Sequence, residues 1–334
     1  MKSQGAVRAA MSRDKVLDWL LEPEQPSVRY YTLVDLTGRE QDDPEAAAAY
    51  SAIPRVGWAH DLLRTQKPKG YWEAHEPRTV REWVNFLRFP LYDSSIWKGI
   101  VLADLGLTAA DPRIRRLADR VFEYMLPLSS PLNLFTEEVC IVGNVAGMMT
   151  RFGYREDRRV RKLYDWMIED QREDGGWNCA AGKPGTLDCW EALSAFATIP
   201  KANRTAAMER AISGGAEFYL ERKLCEEGRR YAPWFRFHYP THYFYDILVG
   251  LDVLTRLGYA GDRRLKPALQ ILREKRRSSG TWVLDRVHPE EGSGSGPGAH
   301  ARKVRPFALE RAGEPSKWIT LTALRVLKRV EDAS

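Results

Sequence analysis

Two segments of this 334-residue chain bring carboxylates, imidazoles and aromatic rings close together in sequence. The first begins at Asp188, and the second ends at Asp246, one helical turn after His242. A carboxylic acid that an apolar cavity keeps neutral can donate a proton, and a carboxylate at helical spacing can orient an imidazole. We therefore take Asp188, His242 and Asp246 as the candidate catalytic residues.

The same segments also suit purely structural roles. Asp188 could cap a helix beside a small buried Cys189, and the aromatic run 236–246 could fill a core as readily as it could line a pocket. Both interpretations stay open from the sequence.

Further candidates are residues that we expect at the same rim of the fold. Aromatic faces stabilise cations and hold apolar chains, while the unsatisfied N–H groups of converging helix N-termini favour anions. The candidate substrate-binding residues are Arg29, Trp97, Glu138, Trp190, Tyr243, Tyr245 and Trp318.

Helices have to position these residues, because apolar residues recur at helical spacing and sustained alternation with period two is absent. Segments with one apolar stripe and a charged opposite face are predicted to face solvent at 14–21, 55–66, 112–125, 159–171, 205–221 and 264–276. Each is followed by a more uniformly apolar segment, at 27–36, 94–105, 137–152, 188–199, 242–257 and 317–327. Six outer and six inner helices predict an all-α fold, an (α/α)6 toroid. We expect one domain over 1–334, with a long flexible loop at 285–315.

A repeat of 105 residues supports this arrangement. Trp72, Trp177 and Trp282 each follow a glycine by one or two positions and stand 105 residues apart. Glycine supplies backbone angles that other residues avoid, so each Gly-Trp segment is predicted to make a tight turn whose Trp packs on a neighbouring helix and donates its N–H to a carbonyl. These tryptophans are interpreted as structural.

The segment 171–177, with Gln171, Asp174, two glycines and Trp177, resembles the QW-type repeat of the terpenoid cyclase and protein prenyltransferase superfamily. Gln66 with Trp72 forms a weaker copy, and the turn at Trp282 lacks the glutamine. Together with the alternating helices, the resemblance extends over most of 66–327. It implies an α-α toroid that handles an isoprenoid in a central apolar cavity.

The resemblance also implies roles for individual residues. The segment 188–193 resembles the Asp-Cys-Thr-Ala-Glu segment of oxidosqualene cyclases, whose Asp is the acid that opens an epoxide, although one residue is missing before the glutamate here. Prenyltransferase β subunits bind zinc through Asp, Cys and His, and Asp188 or Cys189 with His242 would supply those ligand types. Since the spacing differs, we predict no cofactor, with zinc as the alternative.

Composition and charge limit the possible partners and location. The chain is 44% apolar and 29% charged, and its net charge of +6 is spread among acidic residues without a nucleic-acid-binding motif. We therefore expect no nucleic-acid partner, while peripheral contact with a membrane stays open. The absence of a long apolar run or a secretory signal, together with only four cysteines, predicts a cytoplasmic protein with free thiols.

Three functions compete at this stage. The first is an enzyme of the terpene cyclase or prenyltransferase type, and the second is a non-catalytic toroid that binds a lipid or a protein. The third is a carbohydrate hydrolase or lyase on an (α/α)6 barrel, which would use a pair among Glu137, Asp188, Glu191 and Asp246. The lining of the central cavity separates them: apolar for isoprenoids, carboxylate-rich for sugars.

Overall fold

The computed structural model describes residues 15–76, 78–79, 82, 94–125, 138–226, 231–288 and 307–334. Over these ranges the protein is helical, with two isolated backbone bridges and no strand, which confirms the predicted all-α class. The α-helices are α1 (Pro26–Tyr31), α2 (Pro44–Ala52), α3 (Gly57–Leu63), α4 (Ser95–Asp104), α5 (Pro112–Arg120), α6 (Val139–Met149), α7 (Arg158–Glu169), α8 (Glu191–Phe196), α9 (Ala206–Glu221), α10 (Ile247–Arg256), α11 (Lys266–Glu274) and α12 (Lys317–Asp332). None of the described helices combines the length and the apolarity that crossing a bilayer requires.

Helix α5 differs in burial from α6 and α8, as their sequences predict. In α5 the buried residues are Ile114, Leu117 and Ala118, which form one stripe at spacings of three and one. In contrast, α6 buries nine of its eleven residues and α8 buries all six. Helix α6 packs against α4 and α8, and α12 packs against α10 and α1. One hydrophobic cluster runs through all these helices, from Val16 to Val326.

Two predicted helix starts are wrong by several residues. The segment predicted from 188 begins at Glu191, and the segment predicted from 242 begins at Ile247. The second shift has a clear cause: the Asp246 carboxylate accepts the Val249 N–H and so caps α10, while His242 has a left-handed φ of 50° that no helix continues. The aromatic residues at 243–245 lie before this cap. Because they continue the apolar pattern of the helix, they placed its predicted start too early.

Helix α2 was not predicted at all. Its core is a run of alanines at 46–49, which favours a helix but shows no apolar stripe to distinguish a buried face. The Asp43 side chain caps it by accepting the N–H groups of Glu45 and Ala46. Helix α2 packs against α1 as an addition to the alternating pattern.

Most of the predicted loop at 285–315 lies outside the described residues. Glu137 also lies outside them. Residues 285–288 and 307–315 of this loop are described, and the second part contacts the rest of the protein through its backbone. Gly313 donates its N–H to the Leu284 carbonyl over 2.7 Å, just before α12 begins.

The three Gly-Trp turns share one geometry. Trp72, Trp177 and Trp282 are buried, and each indole N–H donates to the carbonyl ten residues earlier over 2.9, 2.8 and 2.7 Å respectively. Gly175 has a φ of +83°, and a side chain there would approach the Gly214 carbonyl oxygen to 2.4 Å. The predicted structural role of these residues is therefore confirmed.

Candidate functional site

A cavity of about 370 Å³ opens among six of the helices. Those helices are α1, α4, α6, α8, α10 and α12, which correspond to the six segments predicted to be inner ones. Since the cavity reaches from the N-terminal residues of α8 to residues near the C-terminal ends of α4 and α10, it has two chemically different ends.

The first end is rich in charge. Three helices continue directly into a five-residue π-helical turn, and two of these turns, Thr32–Leu36 and Thr150–Tyr154, bring a charged side chain to the cavity. Four guanidinium groups and three carboxylates line this end: Arg151, Arg256, Arg325, Arg329, Asp35, Asp104 and Asp252. We call this set the arginine cluster.

Each carboxylate of the arginine cluster has a guanidinium beside it. Asp104 lies 3.0 Å from Arg151, and Asp252 lies 3.0 Å from Arg256 and 2.8 Å from Arg329. Asp252 is therefore shared by two arginines from different helices, α10 and α12. These side chains keep between 21% and 28% of their accessible surface, which the cavity provides.

Arg325 forms the remaining pair. It contacts the Asp35 carboxylate and lies over the Tyr31 ring at 4.3 Å from the ring centre. Its Nε is buried, and no described residue accepts a hydrogen bond from it. A guanidinium carries five N–H donors, so four arginines offer more donors than three carboxylates can use. The cluster also has one positive charge more than it has negative charges.

Burial and the neighbouring arginines shift the pKa values of Asp104 and Asp252 in opposite directions. Burial raises the pKa of Asp104, although Arg151 opposes this effect. At Asp252 burial also acts upward, but Arg256 and Arg329 outweigh it and lower the pKa to about 2. Asp252 is therefore ionised at neutral pH and holds the two arginines together.

The wall between the two ends is apolar and aromatic. Tyr239 and Trp318 stack with their ring centres 4.6 Å apart and their planes 20° apart, and both line the cavity. The Tyr239 hydroxyl donates to Asp104 over 3.5 Å, so the aromatic wall meets the arginine cluster directly. Ile100 and Leu248 also line the cavity.

Glu191 dominates the second end. It is the first residue of α8, only 1% exposed, and lines the cavity. Among the described residues neither of its carboxyl oxygens has a hydrogen-bond partner, and the indole N–H of the adjacent Trp190 has none either. Burial, followed by the nearby Cys179, raises the pKa of Glu191 well above its usual value. Both effects favour the protonated form of this side chain, which faces the cavity.

Asp246 pairs with His238 rather than with the predicted His242. The His238 Nδ1 lies 2.9 Å from Asp246 Oδ2, the His238 backbone N–H also donates to this carboxylate, and both residues line the cavity. Asp246 thus orients an imidazole, as expected, but the partner is wrong. Because the chain turns before α10 starts, His242 and Asp246 do not share a helical turn.

His242 lies in an aromatic cluster instead. Its ring centre lies 5.4 Å from that of Trp97, which in turn contacts Tyr243 edge to face at 4.6 Å. Burial, with the neighbouring His288, lowers the pKa of His242 well below its usual value, so the ring is neutral. None of these three candidates lines the cavity.

Four other predicted site residues serve elsewhere in the structure. Asp188 accepts the Trp234 indole N–H over 2.7 Å, and the Tyr245 hydroxyl donates to the Leu224 carbonyl over 2.8 Å within the core. Arg29 pairs with Glu45 of α2, and Glu138 stands at the N-cap position of α6 without capping it through its side chain. Of the ten predicted residues, Trp190, Asp246 and Trp318 line the cavity.

The sequence did contain a signal for the arginine cluster. Asp104, Arg151 and Arg256 are charged residues at the ends of otherwise apolar segments, and Arg325 and Arg329 recur four residues apart in α12. Charges within an apolar helix have to meet partners, since a lone buried charge is costly. The site was instead predicted at the helix N-termini, which lie at the other end of the cavity from the arginine cluster.

Within the described ranges, no group of three or more His, Cys, Asp or Glu side chains is arranged to hold a metal ion. No protein-family model, curated protein or solved structure matches the chain.

Proposed function

We propose that the protein is a toroidal enzyme that binds a short isoprenyl diphosphate, or a closely similar amphiphilic anion, in the central cavity. Six helices surround this cavity, and the segments between them have the one-sided burial of outer helices, which supports closure into an (α/α)6 ring. The observation that carries the proposal is the joining of an arginine cluster to an aromatic wall within one cavity.

The arginine cluster is suited to a strongly anionic head group. Guanidinium groups bind phosphate oxygens through paired N–H donors, and these interactions strengthen where water is excluded. The unpartnered Nε of Arg325 and the excess of donors leave capacity for a ligand beyond the three aspartates. A neutral polyprenyl hydrocarbon would leave this capacity unused.

The aromatic wall is suited to an apolar chain. Tyr239, Trp318, Ile100 and Leu248 offer a surface beside the charged end, and the volume of about 370 Å³ lies at the lower end of the range for ligand pockets. The size favours a ligand of C5 to C10 chain length. The Gly-Trp repeat resemblance points to isoprenoids among such ligands.

Glu191 supplies the chemistry in this proposal. As a neutral acid at the far end from the arginine cluster, it can protonate a carbon–carbon double bond of the chain, leaving a carbocation that the faces of Trp190 and Trp318 stabilise. The carbocation then gives a proton from a different carbon to the Glu191 carboxylate, which forms a neutral isomerised or cyclised product and regenerates the acid. Asp188, the acid expected from the resemblance, is replaced in this role because it holds Trp234.

Binding is tested with geranyl diphosphate, inorganic diphosphate and geraniol by titration calorimetry. We expect geranyl diphosphate to bind most tightly and its affinity to fall with added salt. Arg325→Met should weaken it roughly tenfold or more, since hydrogen bonds to charged groups contribute about 1.5–3 kcal/mol each. Arg64→Met changes an arginine with 63% exposure and serves as the matched control.

Circular dichroism of each variant verifies that it is folded, and Arg151→Met gives a second test if Arg325→Met is not. Tighter binding of geraniol than of geranyl diphosphate, or equal affinity of Arg325→Met and wild type, would overturn the proposed head-group site.

Catalysis is tested separately with Glu191→Gln. The amide keeps the shape of the side chain but cannot donate the required proton. We expect binding of geranyl diphosphate to stay within about threefold of wild type and product formation, followed by gas chromatography, to disappear. If wild type binds the ligand and forms no product, the non-catalytic toroid is the correct alternative.

A further inference from the structure

Three of the four cysteines lie together beside the cavity. The Cys179 sulfur is 2.8 Å from the Cys140 sulfur and 3.7 Å from the Cys189 sulfur. Cys140 lies in the first turn of α6, Cys179 follows the second Gly-Trp turn, and Cys189 lies two residues before the first residue of α8. Residues far apart in sequence thus form one thiol cluster, which the proposed ligand chemistry does not use.

The distance between Cys140 and Cys179 favours a bond between them. It exceeds the length of a disulfide bond, about 2.05 Å, by less than 1 Å, so small rotations of the side chains close the gap. It is also shorter than the roughly 3.8 Å that separates two sulfurs on one tetrahedral zinc ion, given Zn–S bonds of about 2.3 Å. The pair is therefore better placed for oxidation than for sharing a metal.

The surroundings distinguish Cys179 as the nucleophile. Its sulfur accepts the backbone N–H of Cys140 at the N-terminal end of α6, where the helix dipole favours negative charge. Contacts with the other two thiols, Cys140 first, lower the pKa of Cys179 to about 4, and the same contacts raise the pKa values of Cys140 and Cys189. Cys179 and Cys140 are half-buried, whereas Cys189 is buried.

We propose that Cys179 and Cys140 are a redox-active dithiol that exchanges with low-molecular-weight disulfides such as oxidised glutathione. The Cys179 thiolate attacks one sulfur of the disulfide, which forms a mixed disulfide and releases one thiolate. The Cys140 thiol, losing its proton to the released thiolate, then attacks the Cys179 sulfur and displaces the second. Two protein thiols are oxidised to one disulfide, and one small disulfide is reduced to two thiols.

The exchange also changes the electrostatics of the cavity. Cys179 is the second cause, after burial, of the raised pKa of Glu191, so conversion of its thiolate to a neutral disulfide removes a negative charge near that acid. The oxidation reaction itself does not depend on the proposed isoprenoid function.

The test equilibrates the full-length protein with mixtures of reduced and oxidised glutathione, then alkylates the free thiols and maps peptides by mass spectrometry. We expect wild type to lose two thiols and to yield a Cys140–Cys179 linked peptide, while Cys225→Ser gives the same result as a matched control. In Cys140→Ser, Cys179 should instead retain glutathione or become linked to Cys189.

A second measurement on the unmodified protein avoids variants that fail to fold. Iodoacetamide should alkylate Cys179 roughly tenfold faster than Cys225 at pH 6 to 7, because an ordinary thiol is only a few per cent thiolate there. Four free thiols under all glutathione ratios, a linkage through Cys225, equal alkylation rates, or thiols held by a stoichiometric metal ion would each overturn the proposal.

Discussion

The two ends of the cavity shift the pKa of a carboxyl group in opposite directions. At one end Arg256 and Arg329 flank Asp252 and lower its pKa, and at the other burial and Cys179 raise the pKa of Glu191. Both side chains belong to helices that line the cavity. The contrast shows that the surroundings, rather than the residue type, set the direction of each pKa shift.

Among the changes that test this contrast, removal of the Asp252 side chain should change the stability of the protein most. Asp252→Ala leaves Arg256 and Arg329 close together without their shared partner, and we expect the free energy of unfolding to fall by about 3–5 kcal/mol. Chemical denaturation followed by circular dichroism measures the change. Asp61→Ala is the control, because Asp61 and its partner Arg64 are each 63% exposed, and it should change stability by less than about 0.5 kcal/mol. Similar losses in both variants would mean that the cluster adds no specific stability.

Low pH should reduce the stability that Asp252 contributes to the wild-type protein. The folded pKa of Asp252 is about 2, below its ordinary value of 3.8, so its contribution is complete above about pH 4 and is lost as the pH falls towards 2. The contribution is on the order of 2 kcal/mol. Denaturation between pH 2 and 6 should show this loss in wild type and not in Asp252→Asn. Parallel profiles of the two proteins would contradict the assignment.

The smallest effect is expected at the other end, with the opposite sign. The folded pKa of Glu191 is raised, so stability is greatest below its ordinary pKa and decreases as the pH rises from there. Glu191→Gln removes this penalty, and at pH 7 it should leave stability unchanged or raise it by up to about 2 kcal/mol. A thermal melt at pH 4 and pH 7 measures the difference. A clear loss of stability at pH 7 would show that Glu191 has a stabilising partner.

Much of the fold could be predicted because it depends on local patterns. The Gly-Trp turns need only a left-handed glycine and a Trp that reaches a carbonyl ten residues back, which any copy of the repeat provides. The distinction between one-sided and fully buried helices also follows from spacing alone. Helix α2 escaped prediction since its alanine run is helical without being amphipathic.

The candidate site was predicted less well, because contacts across the fold determine it. Trp190 and Trp318 line the cavity, whereas Asp188 and Tyr245 form hydrogen bonds with Trp234 and the Leu224 carbonyl. Spacing in sequence suggested His242 as the partner of Asp246, but a turn before α10 brings His238 to it instead.

The helical class of this protein and the positions of its repeated turns could be predicted from the sequence, because these properties depend on residues within a few positions of one another. The contacts of Asp104 with Arg151, of Asp252 with Arg329, and of Cys179 with Cys140 and Cys189 could not, because they form only when distant segments pack together. Those pairings join different elements. Their geometry, and hence every pKa and every proposed reaction in the cavity, depends on how the helices pack.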